Sequence, residues 1–315
     1  MAILDGIRRV GVIGAGQMGR GIAQLAAAHG FSVTLADVGR DIAERGRAAV
    51  GQQLAKLVEK NKLGADVAAQ MLARIEPCDL YGGELEAVDF VVEAATEDVA
   101  TKREIFATLD RACRGGVVLA TNTSSISITA IGAAVKRPDR VIGMHFMNPP
   151  PIMKLVEIIR GLATADGTYE TTRALAERLG KRTVLSRDIS GFIVNRVLMP
   201  MLNEACFALY EGIGSVEDMD VAIQLGLNHP MGPFSLMDLI GLDTALAILE
   251  VLHRDLGDPK YRPCPLLRQY VAAGWLGRKS GRGFYHYPAP GQASGQISGQ
   301  ISGQISGPIR TEETR

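Results

Sequence analysis

Cysteine is scarce in this chain of 315 residues, and the four that it has are scattered. No two of them form a C-x-x-C pair, and no group of cysteine and histidine residues has the spacing of a zinc site. We therefore expect neither a disulfide framework nor a bound metal. Reduced thiols are typical of the cytoplasm, which is the predicted location. The cysteines are Cys78, Cys113, Cys206 and Cys264.

Three further absences restrict the expected partners and the expected location of the protein. Lys and Arg together number 34, as do Asp and Glu, so the formal net charge is zero. Nucleic acids and acidic membranes attract proteins with a basic excess, so neither is expected as a partner. No apolar run is long enough to span a bilayer without interruption. The first residues leave no room for a signal peptide or an ordinary transit peptide before the first predicted strand.

A glycine motif between residues 10 and 37 is the most informative pattern that is present. An apolar segment, V-G-V-I, is followed by G-A-G-Q-M-G, a helical pattern and a second apolar segment. Gly14 permits a tight turn, Gly16 lets the backbone approach a pyrophosphate, and Gly19 lets the helix pack close to the strand. The amide groups of the helix N-terminus would face the phosphates. The motif predicts a dinucleotide site formed by Gly14, Ala15, Gly16, Gln17, Met18 and Gly19.

The second apolar segment ends at Asp37. A carboxylate at the end of this strand can accept hydrogen bonds from both ribose hydroxyls of the adenosine half, and it repels a 2′-phosphate. Asp37 therefore favours NAD over NADP as the cofactor, although the nearby Arg40 would soften that preference.

The pattern of predicted secondary structure changes at about residue 186. In residues 1–186, apolar runs alternate with helical patterns, which predicts a Rossmann-type, mostly parallel α/β sheet with helices on both faces. Residues 41–74 are long for one crossover helix and predict a projecting helical hairpin, turned near residues 61–65. Strands are predicted at Val10–Ile13, Ser32–Ala36, Phe90–Glu93, Val117–Ala120, Val141–His145 and Leu155–Ile159.

Residues 187–288 have helical periodicity, with Gly and Pro at the breaks, and predict an all-α C-terminal domain for substrate binding and dimerisation. Its helical stretches are 192–212, 215–226, 235–256 and 264–274. Residues 289–315 repeat G-Q-I-S and contain little that could form a core, so we expect a flexible tail.

His145 and Glu157 are candidates for acid–base chemistry. His145 ends an apolar strand, and open α/β sheets bind ligands beyond the carboxyl ends of their strands. A neutral histidine there could take the proton from an alcohol as its hydride leaves for nicotinamide, although a lone histidine is more often structural. Glu157 lies in an apolar strand, where a carboxylate needs a partner. A chain that turns back at the prolines could bring it beside His145, fix the tautomer and stabilise the protonated ring.

Ser124 and Asn195 are candidates for hydrogen bonds to the substrate. Ser124 lies in T-N-T-S-S, and its hydroxyl could bind the substrate oxygen or the nicotinamide, or simply cap the short helix that follows. Asn195 lies in D-I-S-G-F-I-V-N-R and could supply an amide to the same oxygen.

Taken in order, the motifs resemble the L-3-hydroxyacyl-CoA dehydrogenase family, and within it the short, stand-alone 3-hydroxybutyryl-CoA form. The resemblance covers about residues 7–287 and rests on T-N-T-S-S-I-S-I-T, H-F-M-N-P-P-P-I-M-K-L-V-E-I-I, D-I-S-G-F-I-V-N-R and G-P-F-S-L-M-D-L-I-G-L-D-T. It implies an NAD(H)-dependent interconversion of (S)-3-hydroxyacyl-CoA and 3-ketoacyl-CoA. Together with the apolar helices it predicts a homodimer formed through the helical domain.

The resemblance also implies roles for single residues. His145 becomes the catalytic acid/base with Glu157 as its partner, while Ser124 and Asn195 surround the 3-oxygen of the substrate. The NAD site gains Glu97, Lys102, Asn122 and Lys279. The hairpin corresponds to the acyl-CoA-binding element of the family.

Three lysines of the hairpin could bind the CoA phosphates. Lys56 and Lys60 are one helical turn apart, so both can face the same ligand, although Lys62 could replace either of them. Arg282 departs from the family, which commonly has an acidic residue at this position.

Two other functions stay open. A related NAD-dependent dehydrogenase of free sugar acids, of the L-gulonate type, would carry the same Ser, His, Glu and Asn residues. The lysine-bearing hairpin and the M-K-L-V-E-I-I segment favour the CoA-dependent form instead. A non-catalytic, NAD-binding structural protein is the second alternative, and the presence of all four candidate catalytic residues argues against it.

Overall fold

The computed structural model describes residues 6–80 and 82–287. The chain divides between Arg196 and Val197 into two compact units. The strands, all of them in the first unit, are β1 (Arg9–Ile13), β2 (Ser32–Asp37), β3 (Ile75–Asp79), β4 (Phe90–Glu93), β5 (Val118–Thr121), β6 (Val141–Phe146), β7 (Leu155–Arg160) and β8 (Arg182–Arg187). They form one sheet in the order β3-β2-β1-β4-β5-β6-β7-β8. Neighbours pair in parallel except β6 and β7, which are antiparallel.

The predicted Rossmann-type sheet is confirmed, and each predicted strand is present with its ends shifted by at most one residue. The sequence patterns missed β3 and β8. Both strands lie at the edges of the sheet, where a strand needs no continuous apolar run. Their segments, I-E-P-C-D and R-T-V-L-S-R, are correspondingly polar, and β3 contains a proline, which edge strands tolerate.

Helices cover both faces of the sheet. The helices of the first unit are α1 (Gln17–Ala28), α2 (Arg40–Glu59), α3 (Ala65–Ala73), α4 (Val99–Ala112), α5 (Ile128–Gly132) and α6 (Asp166–Arg178). Val12 of β1 packs in one apolar cluster with Ile22 of α1, and the adjacent Ile13 packs in a second cluster with Phe106 of α4. The alternation follows from the two-residue period of a strand. The predicted hairpin is confirmed as α2 and α3, joined by residues 60–64.

The second unit is helical. Its helices are α7 (Val194–Tyr210), which begins just before the division, α8 (Val216–Gly226), α9 (Pro233–Ile240), α10 (Leu242–Leu256) and α11 (Pro265–Ala272). Residues of the core include Leu202, Phe234, Leu249 and Phe284. The single helical stretch predicted over 235–256 is wrong, because Gly241 has a φ of +100° and separates α9 from α10.

None of the described helices combines the length and the apolar character that crossing a membrane requires. The domain boundary at residue 186 stays a prediction. The G-Q-I-S tail predicted over 289–315 lies outside the described residues.

Candidate active site

The turn between β1 and α1 leaves space for a ligand at one glycine. Gly14 has a φ of +97°, and a Cβ there would lie 2.7 Å from the carbonyl oxygen of Ala94. A Cβ on Gly19 would overlap the carbonyl oxygen of Gly14. By contrast, a Cβ on Gly16, the N-cap of α1, would meet nothing within 4 Å. The helix N-terminus therefore faces open space over a bare backbone, which fits the pyrophosphate of a dinucleotide.

Asp37 ends β2 and holds the glycine turn. Its Oδ2 accepts a hydrogen bond from the backbone N–H of Ala15 at 2.7 Å, and its Oδ1 accepts one from Val38 at 2.8 Å. Each carboxylate oxygen keeps a free lone pair with which to accept a ribose hydroxyl. The guanidinium of Arg40 pairs with Glu44 and Glu84 at 3.4 and 3.5 Å, which offsets the charge that could attract a 2′-phosphate.

His145 and Glu157 are brought together by the antiparallel pairing of β6 and β7, in which they lie directly opposite each other. His145 Nδ1 is 2.8 Å from Glu157 Oε2. Glu157 is 0% exposed and His145 is 8% exposed. The other carboxylate oxygen, Oε1, accepts hydrogen bonds from the backbone N–H groups of Ile193 and Val194 at 3.0 Å each. Both oxygens of this buried carboxylate are therefore satisfied, as burial requires.

Phe192, which the sequence patterns did not indicate, packs against the candidate base. Its ring is edge-on to the imidazole of His145, with ring centroids 5.7 Å apart. Phe192 has a φ of +48°, a conformation that is uncommon for a bulky residue and is concentrated at functional sites. This backbone turn directs the next two N–H groups, of Ile193 and Val194, onto Glu157.

Asn195 is the second residue of α7 and is 9% exposed. Asn195 directly follows Ile193 and Val194, whose backbone N–H groups bind Glu157. The contacts that hold the Glu157 carboxylate therefore also fix the start of α7. Asn122 is tied to β6 in a different way. Its Oδ1 accepts a hydrogen bond from the backbone N–H of Phe146, the residue after His145, at 2.8 Å.

Ser124 belongs to a loop that is organised by Glu97. A single oxygen of Glu97, Oε1, accepts hydrogen bonds from the Ser124 N–H at 2.8 Å and from the Ser124 hydroxyl at 3.1 Å. Thr123 Oγ1 donates to it at 2.6 Å, and the N–H and hydroxyl of Ser125 donate at 3.2 and 3.1 Å. The side chain that caps α5 is that of Ser127, so the capping interpretation of Ser124 is wrong.

The ammonium of Lys102 lies near two carboxylates. Its Nζ is 3.6 Å from Glu97 Oε2 and donates to Glu93 Oε1 at 2.6 Å. Burial acts to raise the pKa of Glu97, but the charge of Lys102 and the hydrogen bonds from Thr123 and Ser124 outweigh it and lower that pKa. Glu93 was missed at the sequence level, although it carries the same signal as Glu157, a carboxylate in an apolar strand (F-V-V-E).

The remaining predicted ligand contacts are lysines of the hairpin and of the second unit. Lys56, in the last turn of α2, and Lys60, immediately after it, are exposed, as is Lys62. Lys279 Nζ lies 2.6 Å from Asp243 Oδ2. The guanidinium of Arg282 stacks on the indole of Trp275 at 3.5 Å from the ring centroid, which accounts for a cation at this position.

The arrangement is similar to that of known proteins along nearly the whole described chain. A family model described as the NAD binding domain of 3-hydroxyacyl-CoA dehydrogenase matches residues 9–189, and the model of the C-terminal domain matches residues 191–287. A probable 3-hydroxybutyryl-CoA dehydrogenase of Bacillus subtilis is 54% identical over 281 residues, which is 89% of this chain and 98% of the relative.

Two further proteins extend the similarity. The 3-hydroxybutyryl-CoA dehydrogenase of Bradyrhizobium diazoefficiens is 51% identical over 89% of this chain and 96% of its own length. The crystal structure of (S)-3-hydroxybutyryl-CoA dehydrogenase from Ralstonia eutropha superposes with a TM-score of 0.85 at 49% identity, over 90% of this chain and 99% of that one.

Proposed function

Since the chain belongs to the 3-hydroxyacyl-CoA dehydrogenase family, we propose that it interconverts (S)-3-hydroxybutyryl-CoA and acetoacetyl-CoA with NAD as its cofactor. The observation that carries the proposal is the contact of 2.8 Å between His145 Nδ1 and the buried carboxylate of Glu157. Such a pair can exchange a proton with a substrate hydroxyl at the carboxyl end of β6, where open α/β sheets bind ligands.

His145 is the proposed acid/base. A carboxylate accepts the proton on Nδ1, so Nε2 carries the lone pair of the neutral ring and is free to take the proton of the 3-hydroxyl. When NAD⁺ is bound, it supplies the acceptor for the hydride that leaves C3. In the reverse direction, the imidazolium returns the proton to the 3-keto oxygen. Glu157 holds the ring in this tautomer and stabilises its charge, as the buried aspartate does in a serine protease triad.

Ser124 and Asn195 are the proposed partners of the 3-oxygen. The Ser124 hydroxyl can turn its single proton from Glu97 to the 3-oxygen, whose own proton goes to His145. Asn195 provides an amide from the first turn of α7, next to the backbone that binds Glu157. Both groups would fix the orientation of the oxygen that His145 protonates.

The proposed cofactor site combines the open turn at Gly16 with Asp37 for the adenosine ribose. Its further members are Glu97, Lys102, Asn122 and Lys279. The carboxylate of Asp37 favours NAD over NADP. For CoA, the exposed Lys56 and Lys60 are proposed to bind phosphate, with Lys62 as the alternative.

We also propose a homodimer formed through the second unit and a cytoplasmic location. Large apolar side chains of that unit are exposed, which supports burial against another copy. They include Val197, Ile213, Val221, Leu225, Leu227 and Leu239. The four cysteines are free thiols, as is usual in the cytoplasm. Sedimentation equilibrium tests the dimer, and a monomeric mass would refute it.

The test of the reaction is the oxidation of NADH with acetoacetyl-CoA, followed by the loss of NADH absorbance. We expect rapid oxidation with the thioester, and slow oxidation with free acetoacetate or when NADPH replaces NADH. Reduction of NAD⁺ by L-gulonate is measured beside it. A folded, NADH-binding protein that reduces NAD⁺ with L-gulonate and ignores the thioester would overturn the proposal.

A further inference from the structure

Glu93 occupies a special place in the sheet, yet none of the roles given above includes it. It is the last residue of β4 and pairs with Ile13 of β1 on one side and with Thr121 of β5 on the other. The strand order β3-β2-β1-β4-β5 reverses its direction of growth between β1 and β4. Ligands of open α/β sheets bind outside the carboxyl ends of the strands at this reversal. Glu93 therefore lies directly beneath the proposed cofactor crevice.

Glu93 and Lys102 form a fully buried ion pair, since their side chains are 0% and 1% exposed. Glu93 Oε1 accepts from Lys102 Nζ and from the backbone N–H of Ala95, both at 2.6 Å. Glu93 Oε2 accepts from the Thr121 hydroxyl, also at 2.6 Å. A pair buried to this extent costs desolvation free energy that well-packed apolar side chains would not. A contribution to stability therefore does not account for it.

The geometry around Lys102 indicates what the pair does. The ammonium lies 2.6 Å from Glu93 but 3.6 Å from Glu97, so its direct partner is the buried carboxylate. Glu97 in turn points its Oε1 at the donors of Thr123, Ser124 and Ser125. Without the charge of Glu93, Glu97 would be the nearest counter-ion of Lys102. Attraction between them would draw the Glu97 carboxylate out of the loop.

We propose that Glu93 is a positioning residue: it holds Lys102 out of direct contact with Glu97, so that Glu97 keeps the loop of Thr123–Ser125 in the shape that binds NAD. The proposal rests on the proposed cofactor site, and deepens it. Glu93 itself lies beneath the crevice and acts only through Lys102 and Glu97.

The test is a double-mutant cycle in which the dissociation constant of NADH is measured by fluorescence titration. Glu93→Gln keeps the length of the side chain and an acceptor for Ala95, but removes the charge. We expect its dissociation constant for NADH to rise at least about 10-fold. In the Lys102→Met background, the same substitution should weaken NADH binding no further, because the ammonium through which it acts is gone.

Asp110→Asn is the matched control. It breaks the ion pair in which Asp110 Oδ1 lies 3.0 Å from Arg137 Nε. Asp110 lies in α4, about 12 Å along the helix axis from Lys102. The control variant should lower the melting temperature and leave the dissociation constant of NADH unchanged. If Glu93→Gln does not fold, Glu93→Asp shortens the side chain instead and withdraws the carboxylate from Lys102 Nζ. This variant should raise the dissociation constant in the wild-type background and leave it unchanged in the Lys102→Met background.

Two results would overturn the positioning role: an unchanged NADH affinity in Glu93→Gln, or the same loss of affinity with and without Lys102. Both leave the proposed function intact, since the wild-type protein still binds NADH. A wild-type protein that does not bind NADH would instead refute the proposed function and this inference together.

Discussion

A Cβ atom on Gly19 would overlap the carbonyl oxygen of Gly14, so Gly19 is required by the packing of α1 against the end of β1, and Gly14 is required by its φ of +97° and by the closeness of Ala94. Gly16 lies between them in the chain and has no such constraint, because a Cβ there would meet nothing within 4 Å. The three glycines of one motif are thus present for two different physical reasons: two are required for folding, and one leaves room for the ligand.

Substituting these glycines should separate folding from cofactor binding. We expect Gly16→Ala to keep the melting temperature of the wild type but to lose NADH affinity by about 10-fold or more, because the methyl group fills the space of the pyrophosphate. Gly19→Ala should instead lower the melting temperature or prevent folding. Thermal unfolding and fluorescence titration of both variants check this. Unchanged NADH binding by a folded Gly16→Ala variant would show that the dinucleotide lies elsewhere.

Replacement of Glu157 should reduce turnover. Glu157→Gln keeps the shape of the side chain but removes the charge that stabilises the imidazolium of His145. We expect the turnover number with acetoacetyl-CoA to fall by about 10²- to 10⁴-fold, with little change in the dissociation constant of NADH. Glu177→Gln, which removes an exposed ion pair with Arg173 in α6, is the control and should have normal turnover. Full turnover by Glu157→Gln would reduce the carboxylate to a structural role.

The lowered pKa of Glu97 gives a pH dependence of stability whose sign is defined. Burial alone would raise this pKa, but Lys102 and the hydrogen bonds of the loop hold it below its ordinary value of 4.5. A carboxyl group with a depressed folded-state pKa contributes stability that is complete above the unfolded-state value and is lost as the pH falls through the folded-state value. Urea unfolding of the wild type and of Glu97→Gln, repeated at several pH values, measures this contribution.

We expect the difference in unfolding free energy between these two proteins to be constant above pH 4.5 and to shrink as the medium becomes more acidic. A difference that does not vary with pH would mean that the charge of Glu97 is not stabilised by its surroundings.

The sequence was informative where one short segment carries both the pattern and its physical cause. The glycine turn and the apolar runs are local, and they predicted the strands from β1 to β7 except the polar edge strand β3. A charged residue within an apolar strand was an equally local signal for Glu157, whose partner His145 lies opposite it across an antiparallel pair. Glu93, the last residue of the apolar strand β4, carries the same signal.

Contacts between distant segments were not predictable from these patterns. The hydrogen bonds from Ile193 and Val194 to Glu157 join positions 36 and 37 residues apart, and they depend on the unusual backbone of Phe192. Asp188 makes a second contact of this kind: its carboxylate accepts hydrogen bonds from the N–H groups of Ile128 and Thr129 at the start of α5. No periodicity marks Phe192 or Asp188, because neither residue lies on the regular face of a helix or strand.

A single-turnover measurement shows whether His145 is the acid/base of this NAD-dependent 3-hydroxyacyl-CoA dehydrogenase. Wild type and His145→Gln are each loaded with NADH and mixed with excess acetoacetyl-CoA, and the loss of NADH absorbance is followed. The structure predicts that the variant binds NADH normally but transfers its hydride about 10²- to 10⁴-fold more slowly. Hydride transfer at the wild-type rate in the variant would contradict the account, because the proton would then come from another group.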